Sequence, residues 1–249
     1  GYGYNPFVHV SPGLRPLIAS GLMDVFKKMW AESWGPRMEH ILRNALLALL
    51  DQPHASLPDI LTLVSSKSFR ERVIANIENT QVKNFWKVEF LKSSFKLQAD
   101  GVSPIQNKVG AFLSDPKLRR ILTREDGQIR LRSIMDEGKV LLVNLSQGKI
   151  GADSSALLGG LLVTSLGSAA FSRAYLDASK RTPFFLYADE FQSFSTQAFV
   201  NMLAEMRKFG IAATLAHQYG HQIEPDIRHA VMGNAGTLIA FRIGPCDAR

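Results

Sequence analysis

Residues 184–190 read FFLYADE, and this stretch decides the fold. Its first five residues are an unbroken apolar and aromatic run, which is typical of a β-strand buried on both faces of a sheet. Two acids, Asp189 and Glu190, follow directly at the carboxyl end of that run. Adjacent carboxylates repel each other, and a bound cation offsets the cost. The stretch therefore predicts a core strand that ends at a cation-dependent site.

Three similar runs occur elsewhere in the chain, and helical patterns separate them. Strands that alternate with helices indicate an α/β fold in which a parallel sheet is flanked by helices. In such sheets, sites gather at the carboxyl ends of the strands. The further predicted strands are residues 139–145, 211–216 and 237–243, and the helices among them are residues 154–175, 197–209 and 225–232.

The first half of the chain has a different character. A helix is predicted over residues 17–34, and Gly35 and Pro36 end it. Residues 35–125 are mostly helical in pattern, and no strand is predicted there. The main helices of this region are predicted at residues 38–50, 68–77, 82–90, 105–113 and 117–122.

A second group of polar residues surrounds the predicted strand at 211–216. Arg207 lies near the end of the helix before it, and Gly210 makes the turn into it. Gln218 follows its carboxyl end, where an amide can donate to a phosphate oxygen and accept from a water at once. From the residues alone, two alternative interpretations remain open: that Arg207 is an ordinary surface residue, and that Gln218 is a generic polar loop residue.

These motifs closely resemble those of the HerA/FtsK superfamily of RecA-like P-loop ATPases. Within it, they are most similar to the type IV secretion coupling proteins of conjugative DNA transfer. The resemblance covers essentially the whole chain. The motifs that carry it are FFLYADEFQSF at residues 184–194, AEMRKFG at 204–210, TLAHQ at 214–218 and NAGTLIAFR at 234–242.

The resemblance implies a role for each of these polar residues. Asp189 is then the Walker B ligand of Mg²⁺, and Glu190 is the base that activates the attacking water. Gln218 corresponds to the sensor of the ATP γ-phosphate. Arg207 matches an arginine finger that reaches into the site of a neighbouring subunit, so hydrolysis depends on assembly of a homo-oligomeric ring, expected to be a hexamer. The implied cofactors are ATP and Mg²⁺.

The sequence departs from the family in one respect, because no GxxxxGK[ST] motif is present. The phosphate-binding loop of the family is expected upstream of Asn5 and Pro6. We therefore expect this chain to be a fragment that is inactive alone. The expected divisions are residues 1–34 as the start of a truncated motor domain, residues 35–125 as an all-α subdomain, and residues 126–249 as the motor core.

The charge of the chain indicates what kind of partner it binds, and its cysteine content indicates its cellular compartment. The chain carries a net charge of +7, and residues 67–139 hold 15 Lys/Arg against 9 Asp/Glu. Such a surplus favours a polyanionic partner such as nucleic acid or an anionic membrane surface, and a solvated helical face remains the alternative. The resemblance implies that this partner is single- or double-stranded DNA. The one cysteine, Cys246, permits no internal disulfide, so a cytoplasmic setting is expected. The resemblance to coupling proteins implies a full-length parent that is anchored to the inner membrane and faces the cytoplasm. The family also implies secretion-system or relaxosome proteins as partners.

Residues 154–172 carry no charge, so a membrane span has to be considered. The stretch is rich in Gly, Ala, Ser and Thr, which favours a tightly packed buried helix over a span. Two other functions remain open at this point. One is a hydrolysis-deficient module of the same fold that binds DNA or protein, and the other is a soluble HerA-type repair translocase.

Overall fold

The computed structural model describes residues 2–8, 10–92, 95–124 and 126–242, with the side chains of 95–99 left out. Most of these residues are helical. The helices are α1 (Arg15–Met29), α2 (Pro36–Leu50), α3 (Asp59–Ser65), α4 (Lys67–Asn76), α5 (Thr80–Asn84), α6 (Phe90–Lys92), α7 (Phe95–Leu113), α8 (Pro116–Thr123), α9 (Leu131–Asp136), α10 (Gln147–Ile150), α11 (Ala152–Phe171), α12 (Gln197–Glu205) and α13 (Pro225–Asn234), and the strands are β1 (Phe184–Ala188) and β2 (Ile211–Leu215). A π-helical turn, Phe85–Glu89, joins α5 to α6.

The sheet of the described residues consists of β1 and β2, which pair in parallel. Phe184 lies opposite Ile211, and Ala188 lies opposite Leu215. Two parallel strands need a crossover connection, and the segment containing α12 provides it. Two of the four predicted strands are thereby confirmed.

The other two strand predictions are wrong for the residues that the structure describes. Residues 139–145 and 237–242 form no strand, and Ile243 lies outside the described residues. Val140 and Leu142 of the first run, and Phe241 of the second, have their side chains in solvent. A strand in a parallel sheet needs a paired neighbour and a cover on its faces. Among the described elements, neither run has a paired neighbour or a cover on its faces. The β1–β2 sheet is itself uncovered on one face, where Phe185 and Tyr187 are exposed.

The uncharged stretch forms α11, a helix at the centre of the protein. By length and composition, Ala152–Tyr175 could cross a membrane, and it is the one such helix in the described ranges. Most residues of α11 are buried against other helices. Glycines permit close approach there: a Cβ at Gly160 would lie 2.9 Å from Val25 of α1, and one at Gly167 would lie 2.9 Å from Met202 of α12. The expectation of a tightly packed helix agrees with this burial.

Two groups of buried apolar residues meet at α11. The first joins α1 to the helices of the first half and to the amino-terminal part of α11. The second joins the carboxyl-terminal part of α11 to α9, β1, α12 and α13. Because α11 contributes to both groups, it connects the helical half of the chain to the sheet.

Candidate functional site

The site lies at the edge of the sheet where β1 and β2 end. Beyond the paired strands, the N–H of Ala216 donates to the carbonyl of Ala188 over 2.9 Å, and the N–H of Phe191 donates to the carbonyl of Ala216 over 3.2 Å. These two bonds hold the turn that carries Asp189 and Glu190 against the residues that follow β2. Gln218 lies two residues beyond Ala216, so the acids and the segment containing Gln218 follow the two strands at the same edge of the sheet.

The acid pair occupies an unusual backbone turn. Glu190 has φ 50° and ψ 41°, and it is the one non-glycine residue with positive φ in the described part of the chain. Its N–H donates to Oδ1 of Asp189 over 3.0 Å. A left-handed conformation costs a non-glycine residue about 1–3 kcal/mol, and such strain clusters at functional sites. The turn exposes Asp189 and leaves Glu190 half-buried.

Two glutamines that sequence reasoning missed contact this turn. The amide of Gln192 donates to Oε2 of Glu190. The same nitrogen lies 3.4 Å from Oε1 of Gln222, in the segment that follows Gln218. Gln192 thus joins the acid pair to the neighbouring loop. It lies within the FFLYADEFQSF motif, but the sequence alone does not show that its side chain turns back onto Glu190.

Arg207 lies at the opposite edge of the sheet. It is exposed on a 3₁₀ turn, Met206–Phe209, that leads into the amino end of β2. Five strand residues separate the two edges, a distance of roughly 16 Å. The structure therefore does not bring Arg207 together with the acids of the same chain.

Two other arginines donate hydrogen bonds to the backbone of the turn that carries Arg207. Arg173, whose side chain is fully buried, donates through Nη1 to the carbonyl of Phe209 over 3.1 Å and through Nε to Oδ1 of Asp136 over 2.9 Å. Arg181 donates to the carbonyl of Lys208. Because the backbone on this side is held by buried charge, Arg207 projects from a rigid support.

The acid pair suits a hard cation. Magnesium ions prefer oxygen ligands, keep several waters, and take one or two protein carboxylates together with substrate phosphates. Asp189 offers an exposed carboxylate at the sheet edge. No group of three or more His, Cys, Asp or Glu that could hold a metal occurs among the described residues, so a fully protein-ligated metal is not built there. The residues fit a metal that arrives with a phosphate ligand.

Comparison with known proteins defines the class of fold. No family model and no curated protein matches the sequence. Among solved structures, the chain shares its fold with bacterial conjugative coupling proteins.

The solved structures that it resembles include those of TrwB, a plasmid coupling protein. Its complex with the non-hydrolysable ATP analogue ADPNP matches with a TM-score of 0.61 and 17% identity, covering 94% of this chain and 54% of that chain. The trigonal form with sulphate gives 0.61 and 18%, again over 94% of this chain and 54% of the other. The complex with a GTP analogue gives 0.58 and 18%, over 94% and 52%.

This chain thus spans about half the length of the coupling-protein chains that it matches. The resemblance predicted from the motifs is confirmed at the level of the fold. The likeness shows a shared fold, of which the described residues form two parallel strands surrounded by helices.

Proposed function

We propose that this chain is part of the motor domain of an ATP-driven, DNA-translocating subunit of the conjugative coupling class. One observation carries the proposal. In a chain with the fold of TrwB, Asp189, Glu190 and the Gln218 segment follow two paired parallel strands at the same edge of the sheet. An acid pair beside an amide at such an edge is the arrangement that ATP hydrolysis needs.

Each residue has a distinct task in this proposal. Asp189 would hold Mg²⁺ with its exposed carboxylate, and the bound ion would supply positive charge to offset that of the phosphates. The Glu190 carboxylate accepts a proton from the attacking water, and the contact from Gln192 keeps that carboxylate aimed. Gln218 donates to the γ-phosphate and so reports whether it is present.

Arg207 acts on a neighbouring subunit. Because it lies at the sheet edge opposite the acids, it can stabilise transferred-phosphoryl charge only in the site of another copy. An arginine supplied in this way raises turnover by about 10³–10⁵-fold in related phosphoryl-transfer systems. Hydrolysis is then coupled to assembly of a ring, which we propose to be a hexamer.

The helical region faces DNA in this proposal. We assign residues 1–34 and 126–249 to the motor and residues 35–125 to the all-α subdomain. Helix α8 carries Lys117, Arg119 and Arg120 on its exposed side, while Leu118 and Leu122 are buried. Cationic side chains on one face are suited to phosphate contacts. The complete protein would act on the cytoplasmic side of the inner membrane, with secretion or relaxosome proteins as partners.

The first test is ATP hydrolysis by the full-length protein with and without Glu190→Gln. We expect kcat to fall by at least about 100-fold, because a general base contributes 10²–10⁴-fold, while ATP binding persists. Glu32→Gln is the matched control, because Glu32 is an exposed acid on the turn after α1. Wild-type turnover in Glu190→Gln would remove Glu190 from catalysis. A wild-type protein that binds DNA without hydrolysing ATP would support the hydrolysis-deficient module instead.

The second test concerns DNA and the membrane. If residues on α8 contact phosphates, Arg120→Ala weakens DNA binding similarly for all sequences and reduces its salt dependence. Glu137→Ala, a change at an exposed acid outside α8, should not weaken binding. Membrane association of the full-length protein favours a coupling protein, whereas a protein found wholly in solution favours a HerA-type repair translocase.

A further inference from the structure

Lys28 connects α1 to the site. Its Nζ donates to the carbonyl of Gln192 over 2.8 Å and to the carbonyl of Ser195 over 2.6 Å. The same atom lies 3.9 Å from Oε1 of Glu224. The ammonium thus has three acceptors near it: it donates hydrogen bonds to two carbonyls, and the Glu224 carboxylate is its longer-range ion-pair partner. Two of those acceptors belong to the acid turn, defined as residues 189–195, and the third belongs to the glutamine segment, defined as residues 216–224.

Burying the Lys28 ammonium costs desolvation free energy, which indicates that this side chain does more than fill space between α1 and the site. Burial lowers the pKa of Lys28, and the nearby Glu224 carboxylate partly opposes that effect. An apolar side chain at this position of α1 would avoid the desolvation cost. The ammonium is retained where two backbone carbonyls of one turn converge on it. Its neighbour Lys27, by contrast, is exposed on the same helix.

A second link runs beside the first. Gln192 contacts the carboxylate of Glu190 with its amide, and the same amide approaches Gln222. Lys28 holds the backbone of Gln192, and Gln192 holds the side chain of Glu190. The acid turn and the glutamine segment are therefore joined twice, once through Lys28 and Glu224 and once through Gln192 and Gln222.

We propose that Lys28 is a positioning residue that couples the acid turn to the glutamine segment, so that the two move as one unit. The catalytic consequence rests on the function proposed above. When a γ-phosphate engages Gln218, the coupling transmits the displacement to the Glu190 carboxylate. The mechanical coupling itself is a property of this chain and does not depend on hydrolysis.

Amide hydrogen exchange of the full-length protein tests the coupling directly. In Lys28→Met, amides of both the acid turn and the glutamine segment should exchange about tenfold faster, the effect of losing one charge-assisted hydrogen bond. Lys27→Met should leave both unchanged, and Lys28→Arg should restore protection because it keeps charge and donors. Faster exchange in the acid turn alone, or in neither segment, would overturn the coupling.

Steady-state kinetics of ATP hydrolysis tests the consequence. We expect Lys28→Met to lower kcat about tenfold or more, with KM for ATP within about twofold, because a small displacement of a catalytic group is costly. Glu224→Gln is the second variant, because Glu224 is the exposed ion-pair partner of Lys28, and it should lower kcat in the same direction. Unchanged kcat in both variants refutes the positioning role. Absence of hydrolysis in the wild type refutes the proposed function, and the exchange measurement still decides the coupling.

Discussion

Replacing Gly21 by alanine should destabilise the protein, although alanine is the better helix former. Gly21 lies in the interior of α1, where it faces α11. A Cβ built at this position lies 2.3 Å from Cγ2 and 3.3 Å from Oγ1 of Thr164. Threonine is β-branched and stiff at χ1, so the methyl group cannot swing away freely. The two helices must separate to accept one additional carbon.

The magnitude follows from two opposing terms. Adding a carbon to a close-packed contact costs about 1–3 kcal/mol. The change from glycine to alanine in a helix interior returns up to about 1 kcal/mol. Because the contact would be only 2.3 Å, the packing cost lies in the upper part of its range, about 2–3 kcal/mol, and after the gain of about 1 kcal/mol we expect Gly21→Ala to lower the free energy of unfolding by about 1–2 kcal/mol. For a chain of this size, that corresponds to a fall in Tm of roughly 2–8 °C.

Urea unfolding of matched variants measures the effect. Gly110 of α7 is the control, because a Cβ there meets nothing within 4 Å, and Gly110→Ala should stabilise by up to about 1 kcal/mol. Thr164→Ser removes the clashing methyl group, so Gly21→Ala combined with Thr164→Ser should recover most of the loss beyond that of Thr164→Ser alone. Stabilisation by Gly21→Ala equal to that by Gly110→Ala would refute the close contact between α1 and α11.

Three further predictions concern charge and capping. Asp136→Ala should lower the free energy of unfolding by about 3–5 kcal/mol, because it leaves the buried guanidinium of Arg173 without its carboxylate, as urea unfolding would show. Trp34 donates to Glu39 and holds the pKa of that carboxyl below its usual range, so Trp34→Phe should raise the pKa in an NMR titration. Asp115→Ala should fray the first turn of α8, increase its hydrogen exchange and weaken DNA binding, because the Asp115 cap contributes about 1 kcal/mol.

Each of these has a control and a contradicting result. Asp136→Asn keeps an acceptor and should cost less than Asp136→Ala; equal costs would mean that the charge is unimportant. A lowered carboxyl pKa stabilises the fold above the ordinary carboxyl pKa, and this contribution is lost as the pH falls through the lowered value. Trp34→Phe lacks this contribution, so the difference in stability between wild type and Trp34→Phe should shrink as the pH falls through the lowered value, and a difference that does not change with pH would contradict the contact. Asp115→Asn preserves the cap, and DNA binding as weak as that of Asp115→Ala would argue against a role of helix order.

The sequence prediction was correct for β1 and β2 because each of these two runs has the other as its pairing strand in the sheet. Their residues pair along their whole length, from Phe184 with Ile211 to Ala188 with Leu215. Residues 139–145 have the same composition, yet their backbone finds no strand partner among the described residues. An apolar run indicates that a segment can form a buried strand, whereas pairing depends on what lies beside it. Composition contains no information about that neighbour.

Helix boundaries show a related limit. The sequence predicted a helix over residues 105–113. The structure continues α7 upstream through Pro104 to Phe95. Ile105 and Val109 are buried, so packing fixes the part of the helix that follows the proline. The local sequence pattern identified residues 105–113, whereas the upstream extension of the helix to Phe95 was not predicted.

At the site, the sequence predicted what the strands determine and missed what distant helices supply. The acids and Gln218 fall at one edge because parallel strands end together. Lys28 lies 164 residues from Gln192 in the chain, so no local pattern relates them. The opposite placement of Arg207 also follows from strand direction, because it precedes β2 whereas Gln218 follows it.

The left-handed backbone at Glu190 has an evolutionary consequence. Glycine adopts this conformation without penalty, so Glu190→Gly would relieve about 1 kcal/mol or more of strain while deleting the carboxylate. A laboratory selection for thermal resilience alone would be drawn toward this replacement. Under the function proposed above, natural selection for turnover would remove it. At position 190, thermal stability therefore favours glycine, whereas the proposed activity favours glutamate.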